Sequence, residues 1–138
     1  MGAGALRLLL GVAIAVSVVH YADNIAHYDD YPQPDGGPAP SRAAIAVAWV
    51  AFTAFAVAGY ALLRRGRITA AAVCLALYAG SGLIGLGHYT VDGATDMPWW
   101  RQAHIVADIA SGTAVLAFAV WLVVRRTGAA GRTSTPAG

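Results

Sequence analysis

Residues 42–88 read RAAIAVAWVAFTAFAVAGYALLRRGRITAAAVCLALYAGSGLIGLGH. Two apolar runs, 42–63 and 68–88, flank the short basic link Arg64-Arg65-Gly66-Arg67. Each run matches the ~20 residues that an α-helix needs to cross a bilayer. A link this short closes only a tight antiparallel hairpin, so the two spans are neighbours. Runs 5–24 and 103–124 have the same apolar character. The pattern predicts an all-α membrane protein, a four-transmembrane-helix antiparallel bundle over residues 1–126. Residues 127–138, rich in Gly, Ala, Ser and Thr, read as a disordered cytoplasmic tail.

Composition supports the same class. Of 138 residues, 58% are hydrophobic and 12% charged, against ~25% charged in a soluble domain. Mean hydropathy is +0.59. The net charge of +2 comes from arginines in short groups beside apolar runs. They read as membrane anchors and not as a nucleic-acid surface, so no nucleic-acid partner is expected. Cys74 is the only cysteine. That excludes a disulfide within the chain and a CxxC redox pair, and Cys74 is expected to be a small buried apolar residue. The first apolar run passes directly into His20-Tyr21-Ala22-Asp23-Asn24 with no small-x-small cleavage site. It reads as a retained span and not a secretory signal.

Charge sorting sets the expected orientation. Arg7, Arg64, Arg65, Arg67, Arg125, Arg126 and Arg132 fall on one side of the spans. All seven aspartates and all four histidines fall on the other. By the positive-inside rule, both termini are cytoplasmic and the 28–41 and 89–102 connections face outward, in a multi-pass protein of the cell membrane. Arg42 and Arg101 are the exceptions, placed to snorkel or to pair with an outer aspartate. The Pro/Gly-rich segment 31–40 cannot be helical, and Ser41 is a natural N-cap for the second span. Met97-Pro98-Trp99-Trp100 plays the corresponding part before the fourth span. Tyr21, Tyr28, Tyr31 and Tyr89 read with these tryptophans as an outer aromatic belt. His20-Tyr21 with Asp23, and His88-Tyr89 with Asp92, form a faint internal echo.

The polar residues near the outer surface are where chemistry is expected. His20, Asp23, Asn24 and His27 stand at i, i+3, i+4 and i+7, one stripe of a helix. Arg101, His104, Asp108 and Ser111 form a second stripe on the fourth span. His88 and Asp92 lie one turn apart if the third helix continues. Gly80, Ser81, Gly82, Gly85 and Gly87 give that span a small surface on which a neighbour can pack closely. Asp108 lies ~24 Å from the inner end of its helix at ~1.5 Å per residue, within the hydrocarbon layer. An isolated aspartate there costs roughly 3 kcal/mol on insertion scales. Asp108 must therefore face inward and meet a partner. His104 is nearest within its helix, and His20 is the best candidate across helices.

Three function classes follow. One is a membrane accessory or scaffold protein, packing through small residues against partner membrane proteins or a second copy. Another is a transition-metal or haem protein, with metal residues His20, His27, His88, His104, Asp23 and Asp108 and with Asn24, Asp92, Ser111 and Trp100 lining the pocket. The third is a small transporter, or a protein that binds lipid or another hydrophobic ligand in a pocket roofed by Trp99 and Trp100. Four-helix drug exporters of the small multidrug type do not fit, because they need an acid within the first span. Here no acid precedes Asp23 and there is no glutamate. No HExxH-type motif is present. The segments His20-Tyr21-Ala22-Asp23-Asn24 and Ala103-His104-Ile105-Val106-Ala107-Asp108 resemble those of small bacterial four-span membrane proteins of unknown function, a resemblance that implies the layout and no activity.

Overall fold

The computed structural model describes residues 3–33 and 39–132. Helix α1 covers Ala3–Ala26, α2 Arg42–Arg64, α3 Ile68–Leu83 and α4 Trp99–Arg132. Each apolar segment is long and hydrophobic enough to cross a membrane. The helices pack as a closed ring, each on its chain neighbours and α4 back on α1. This is a four-helix integral membrane bundle. Large apolar side chains such as Leu8, Val47 and Val57 point outward, fully in keeping with a lipid surround. Only 11% of the apolar window of α2 is buried, so α2 is the most peripheral span.

Local sequence explains the ends. The Ser41 Oγ accepts the Ala44 N–H at 3.2 Å, capping α2. Gly66, at φ +72°, ends it: its N–H reaches the Leu63 carbonyl and the Arg67 N–H reaches the Leu62 carbonyl. This left-handed cap fits glycine, and it turns the chain at once into α3. Before α4, the Pro98 carbonyl accepts the N–H groups of Arg101 and Gln102.

Two elements depart from the sequence pattern. The third span does not stay α-helical to residue 88. It becomes a 3₁₀ helix over Ile84–Thr90 and leaves it extended at Val91. Helix α4 starts at Trp99 instead of residue 103 and continues to Arg132. Residues 127–132, expected in an irregular tail, are therefore helical. Residues 133–138 lie outside the described residues, as does Asp35 with its neighbours 34–38.

The interior has two chemistries. An apolar core joins Leu6, Leu10 and Ala13 of α1, Ala56 of α2, Leu75 and Tyr78 of α3, and Val115, Phe118 and Leu122 of α4. It occupies the end of the bundle that carries most of the arginines. Glycines set the α3–α4 spacing there and above it. A Cβ on Gly82 would run into the Asp108 carbonyl, and one on Gly112 would stand 2.8 Å from the Ala79 carbonyl. Ser17 ties α1 to α2 by accepting the Trp49 indole N–H at 3.2 Å. Cys74 is half-buried rather than fully enclosed. At the opposite end a small second core of Tyr31, Ala94, Met97 and Ile105 sits under the loops.

Candidate functional site

The inward stripe of α1 is Leu6, Leu10, Ala13, Ser17, His20 and Asn24, all buried. That of α4 is Arg101, Ile105, Asp108, Val115, Ala119 and Leu122, again all buried. Both stripes keep the alternating three- and four-residue spacing of helices packed nearly in line. Along each, chemistry changes from aliphatic to ionisable as the helix approaches one end of the bundle. The site is built where the two polar halves meet the 3₁₀ segment.

His20 and Asp108 are its centre. The His20 Nδ1 lies 2.8 Å from Asp108 Oδ2, and both side chains are almost wholly buried. This is the partner across helices that the depth of Asp108 demands. The His20 ring lies against Gly85, where an added Cβ would stand 3.6 Å from its Cε1. On its other side, the His20 Nε2 is 3.4 Å from the His88 Nε2. The Asn24 amide Nδ2 approaches the same His88 nitrogen at 3.2 Å. Tyr21 fixes α1 to α3 by donating to the Ser81 carbonyl at 3.0 Å.

A second group surrounds Asp23. Its Oδ2 accepts the Tyr31 hydroxyl at 2.6 Å and the Arg101 Nε at 3.0 Å. Its Oδ1 lies 2.8 Å from the His27 Nδ1. Arg101 also reaches Asp30 at 3.3 Å, and its guanidinium covers the rings of Tyr31 and Trp100 at 4.8 and 5.0 Å. Burial, and then the hydrogen bond to Asp23, push the Tyr31 phenol far above the usual tyrosine range.

His104 joins the two groups. Its ring centroid is 5.5 Å from that of His20 and 5.9 Å from that of Trp100. Its Nε2 is 3.3 Å from Asp23 Oδ2, an ion-pair contact out of line for a good hydrogen bond, and among the described residues its buried Nδ1 has no hydrogen-bond partner.

Several expected positions fall elsewhere. His27 is half-exposed and touches the site only through Asp23. Asp92 is exposed, because the chain leaves helical geometry at Val91 and cannot carry it one turn on from His88. Ser111 lies on the flank of α4 and donates to the Asp108 carbonyl within its own helix. Trp100 covers Arg101 and His104 from outside. Tyr21 and Tyr31, expected in an aromatic belt, are buried structural donors. Arg42 and Arg101 pair with aspartates, the former with Asp29 at 2.7 Å. Sequence reasoning did not single out Tyr31, or the reach of Arg101 to Asp30.

Beside the histidines is a cavity of about 430 Å³ between α1, α2 and the 3₁₀ segment. His20, Asn24 and His88 line it with Tyr28 and Tyr31, and so do Ala44, Ile45 and Ala48 of α2 and Ile84. Pro32 and Pro40 also line it. Trp99 and Trp100, the expected roof, are not among its walls.

The pairs that His20 makes do not fit a haem. Two nitrogens on opposite sides of one iron stand ~4 Å apart at metal–nitrogen distances of ~2.0–2.1 Å. The His20 and His88 nitrogens are closer than this, and the His20 and His104 rings touch without a gap for a porphyrin plane. Among the described residues, no three His, Cys, Asp or Glu side chains stand as a ready metal-coordination shell. Compared with known protein families, with curated proteins and with solved structures, the chain matches none.

Proposed function

We propose that this protein binds an amphiphilic small molecule at the boundary of the cell membrane. The observation that carries the reading is the cavity itself: the polar side chains His20, Asn24 and His88 line it together with the aliphatic Ala44, Ile45 and Ala48 of α2. Its volume of about 430 Å³ falls within the range of small-molecule sites. The head group of the ligand meets the imidazoles and the Asn24 amide. Its apolar body lies along Ala44, Ile45 and Ala48. With the arginine-rich end in the cytoplasm, the cavity opens toward the outer face.

This reading is favoured over an accessory or scaffold role. Gly82 and Gly112, the closest small-residue contacts, already join α3 to α4 within the chain. The exposed valines of α2 need only lipid to cover them. Lipid solvation does not account for buried histidines around a cavity.

The test is extraction of the detergent-purified protein with organic solvent, followed by mass spectrometry of the extract. An Ala48→Trp variant, which fills the aliphatic wall, is extracted beside it. One amphiphile near stoichiometric in the wild type and absent from the variant is expected. Identical extracts from two folded proteins sink the proposal.

A further inference from the structure

The approach of His20 to His88 is a feature that amphiphile binding leaves unexplained. We infer that these two side chains hold a tetrahedral divalent metal ion, with zinc the ion that best suits them. The inference is independent of the amphiphile reading, since it needs only the imidazole edge and what supports it.

The distance is the first support. An N–H···N hydrogen bond at 3.4 Å is long, beyond the usual ~2.7–3.2 Å for nitrogen donors. Two nitrogens bound to one tetrahedral ion at ~2.0–2.1 Å each stand ~3.3–3.4 Å apart. The two Nε2 atoms are thus spaced as one edge of a coordination tetrahedron while making a poor hydrogen bond.

The second support is Asp108. A ligating histidine commonly gives its other ring N–H to a carboxylate, which fixes the tautomer and aims the free lone pair at the metal. The His20 Nδ1 has that partner at 2.8 Å, buried and therefore unscreened. The Nδ1–H tautomer leaves the Nε2 lone pair directed toward His88. Nothing in the amphiphile reading requires this arrangement behind the ring.

His104 supplies the third. It is the nearest remaining imidazole, its ring centroid 5.5 Å from that of His20; its Nε2 meets the Asp23 carboxylate at 3.3 Å in poor alignment, and among the described residues its Nδ1 has no hydrogen-bond partner. A turn of this ring would bring one of its nitrogens toward the ion as a third donor. Because His20 and His88 both line the cavity, water or the head group of a ligand there would complete the shell. The donor set is imidazole without thiolate, which suits zinc or copper rather than magnesium or calcium.

The experiment is equilibrium dialysis of the full-length, tag-free protein in nanodiscs against buffered Zn²⁺, with metal content read by elemental mass spectrometry. One zinc per chain is expected. His88→Gln, at a half-buried position, is expected to lose it. Asp108→Asn keeps the shape but weakens the orienting contact, and a 10–100-fold loss of zinc affinity is expected. Cobalt in place of zinc gives a readout separate from affinity, since tetrahedral cobalt absorbs strongly in the visible and the bands should vanish in His88→Gln. Ala48→Trp is expected to keep zinc while losing the amphiphile, which separates the two proposals. A wild type with no stoichiometric zinc overturns the inference and leaves the pair sharing only a proton. Zinc retained by both His20→Gln and His88→Gln also overturns it, because the ion then sits elsewhere.

Discussion

Replacing Gly82 with alanine tests the packing that holds Asp108 in place. The new Cβ would drive into the Asp108 carbonyl and lie 3.2 Å from the Gly112 Cα. Both obstacles are backbone of α4, so no side chain can swing aside. Helices α3 and α4 must part by about an ångström, and overpacking of this kind costs about 1–3 kcal/mol. Backbone against backbone belongs near the upper end. Against that, alanine in a helix interior gains about 1 kcal/mol over glycine. The net expectation is about 2 kcal/mol of destabilisation, roughly a 30-fold fall in the folded-to-unfolded ratio. The assay is reversible unfolding in mixed micelles by titration with dodecyl sulfate, followed by far-ultraviolet circular dichroism. Gly80→Ala is the control, since its Cβ meets only the Phe52 ring at an ordinary 3.7 Å. It should be neutral or slightly stabilising. Gly112→Ala should resemble Gly82→Ala, and the double variant should lose less than the sum, because one separation accommodates both methyl groups. If Gly82→Ala unfolds at the same detergent fraction as Gly80→Ala, the close α3–α4 crossing is refuted.

Three further outcomes follow from the same geometry. Alanine at His20 and at Asp108, singly and together, should give a coupling of about 1–3 kcal/mol in the same unfolding assay, whereas additive effects would mean the two are separate caps. Arg101→Met removes a charged hydrogen bond from the buried Asp23, which keeps Tyr31 and His27, and should cost about 1.5–3 kcal/mol; Arg101→Lys should recover only part of it, since a single ammonium cannot reproduce the Nε and Nη2 contacts. Tyr31→Phe removes a bond to a carboxylate and should cost about 1.5–3 kcal/mol. Because the folded-state phenol is raised, that contribution is complete below the ordinary tyrosine value of about 10 and fades as pH climbs beyond it. The stability gap between wild type and Tyr31→Phe should therefore narrow in alkali, and a gap that widens would reverse the assignment.

The spans were legible because bilayer thickness imposes a run length that few other environments impose, and α2 ends within a residue of its apolar run. The inward faces were less so. The stripe Arg101, His104, Asp108, Ser111 treats polarity as the guide to burial, but the buried set is Arg101, Ile105 and Asp108, with His104 and Ser111 to the side. Continuing the spacing of Val115, Ala119 and Leu122 back toward Arg101 would have found it. Asp108 could be placed by depth, because an aspartate within lipid must have a partner. Tyr31 could not be, because its burial depends on a loop folding back over α1, and an aromatic residue beside a span end is equally suited to the interface. Asp92 was misplaced by extending an α-helix past Leu83, where the chain tightens into 3₁₀ winding and then leaves helical geometry at Val91.

That winding has an angular consequence. An α-helix advances ~100° per residue and a 3₁₀ helix ~120°. Over the five residues from Leu83 to His88, the difference accumulates to ~100°. Had the third span kept one pitch, His88 would point more than a quarter-turn away from His20. In a 3₁₀ helix, residues three apart eclipse, so His88 stands in line with Gly85, the glycine on which the His20 ring rests. The segment works as a vernier: a small change of pitch, summed over a few residues, sets the bearing of one imidazole. Alanine at Gly87, where a Cβ meets open space, would favour the α-helical winding and turn His88 off its mark.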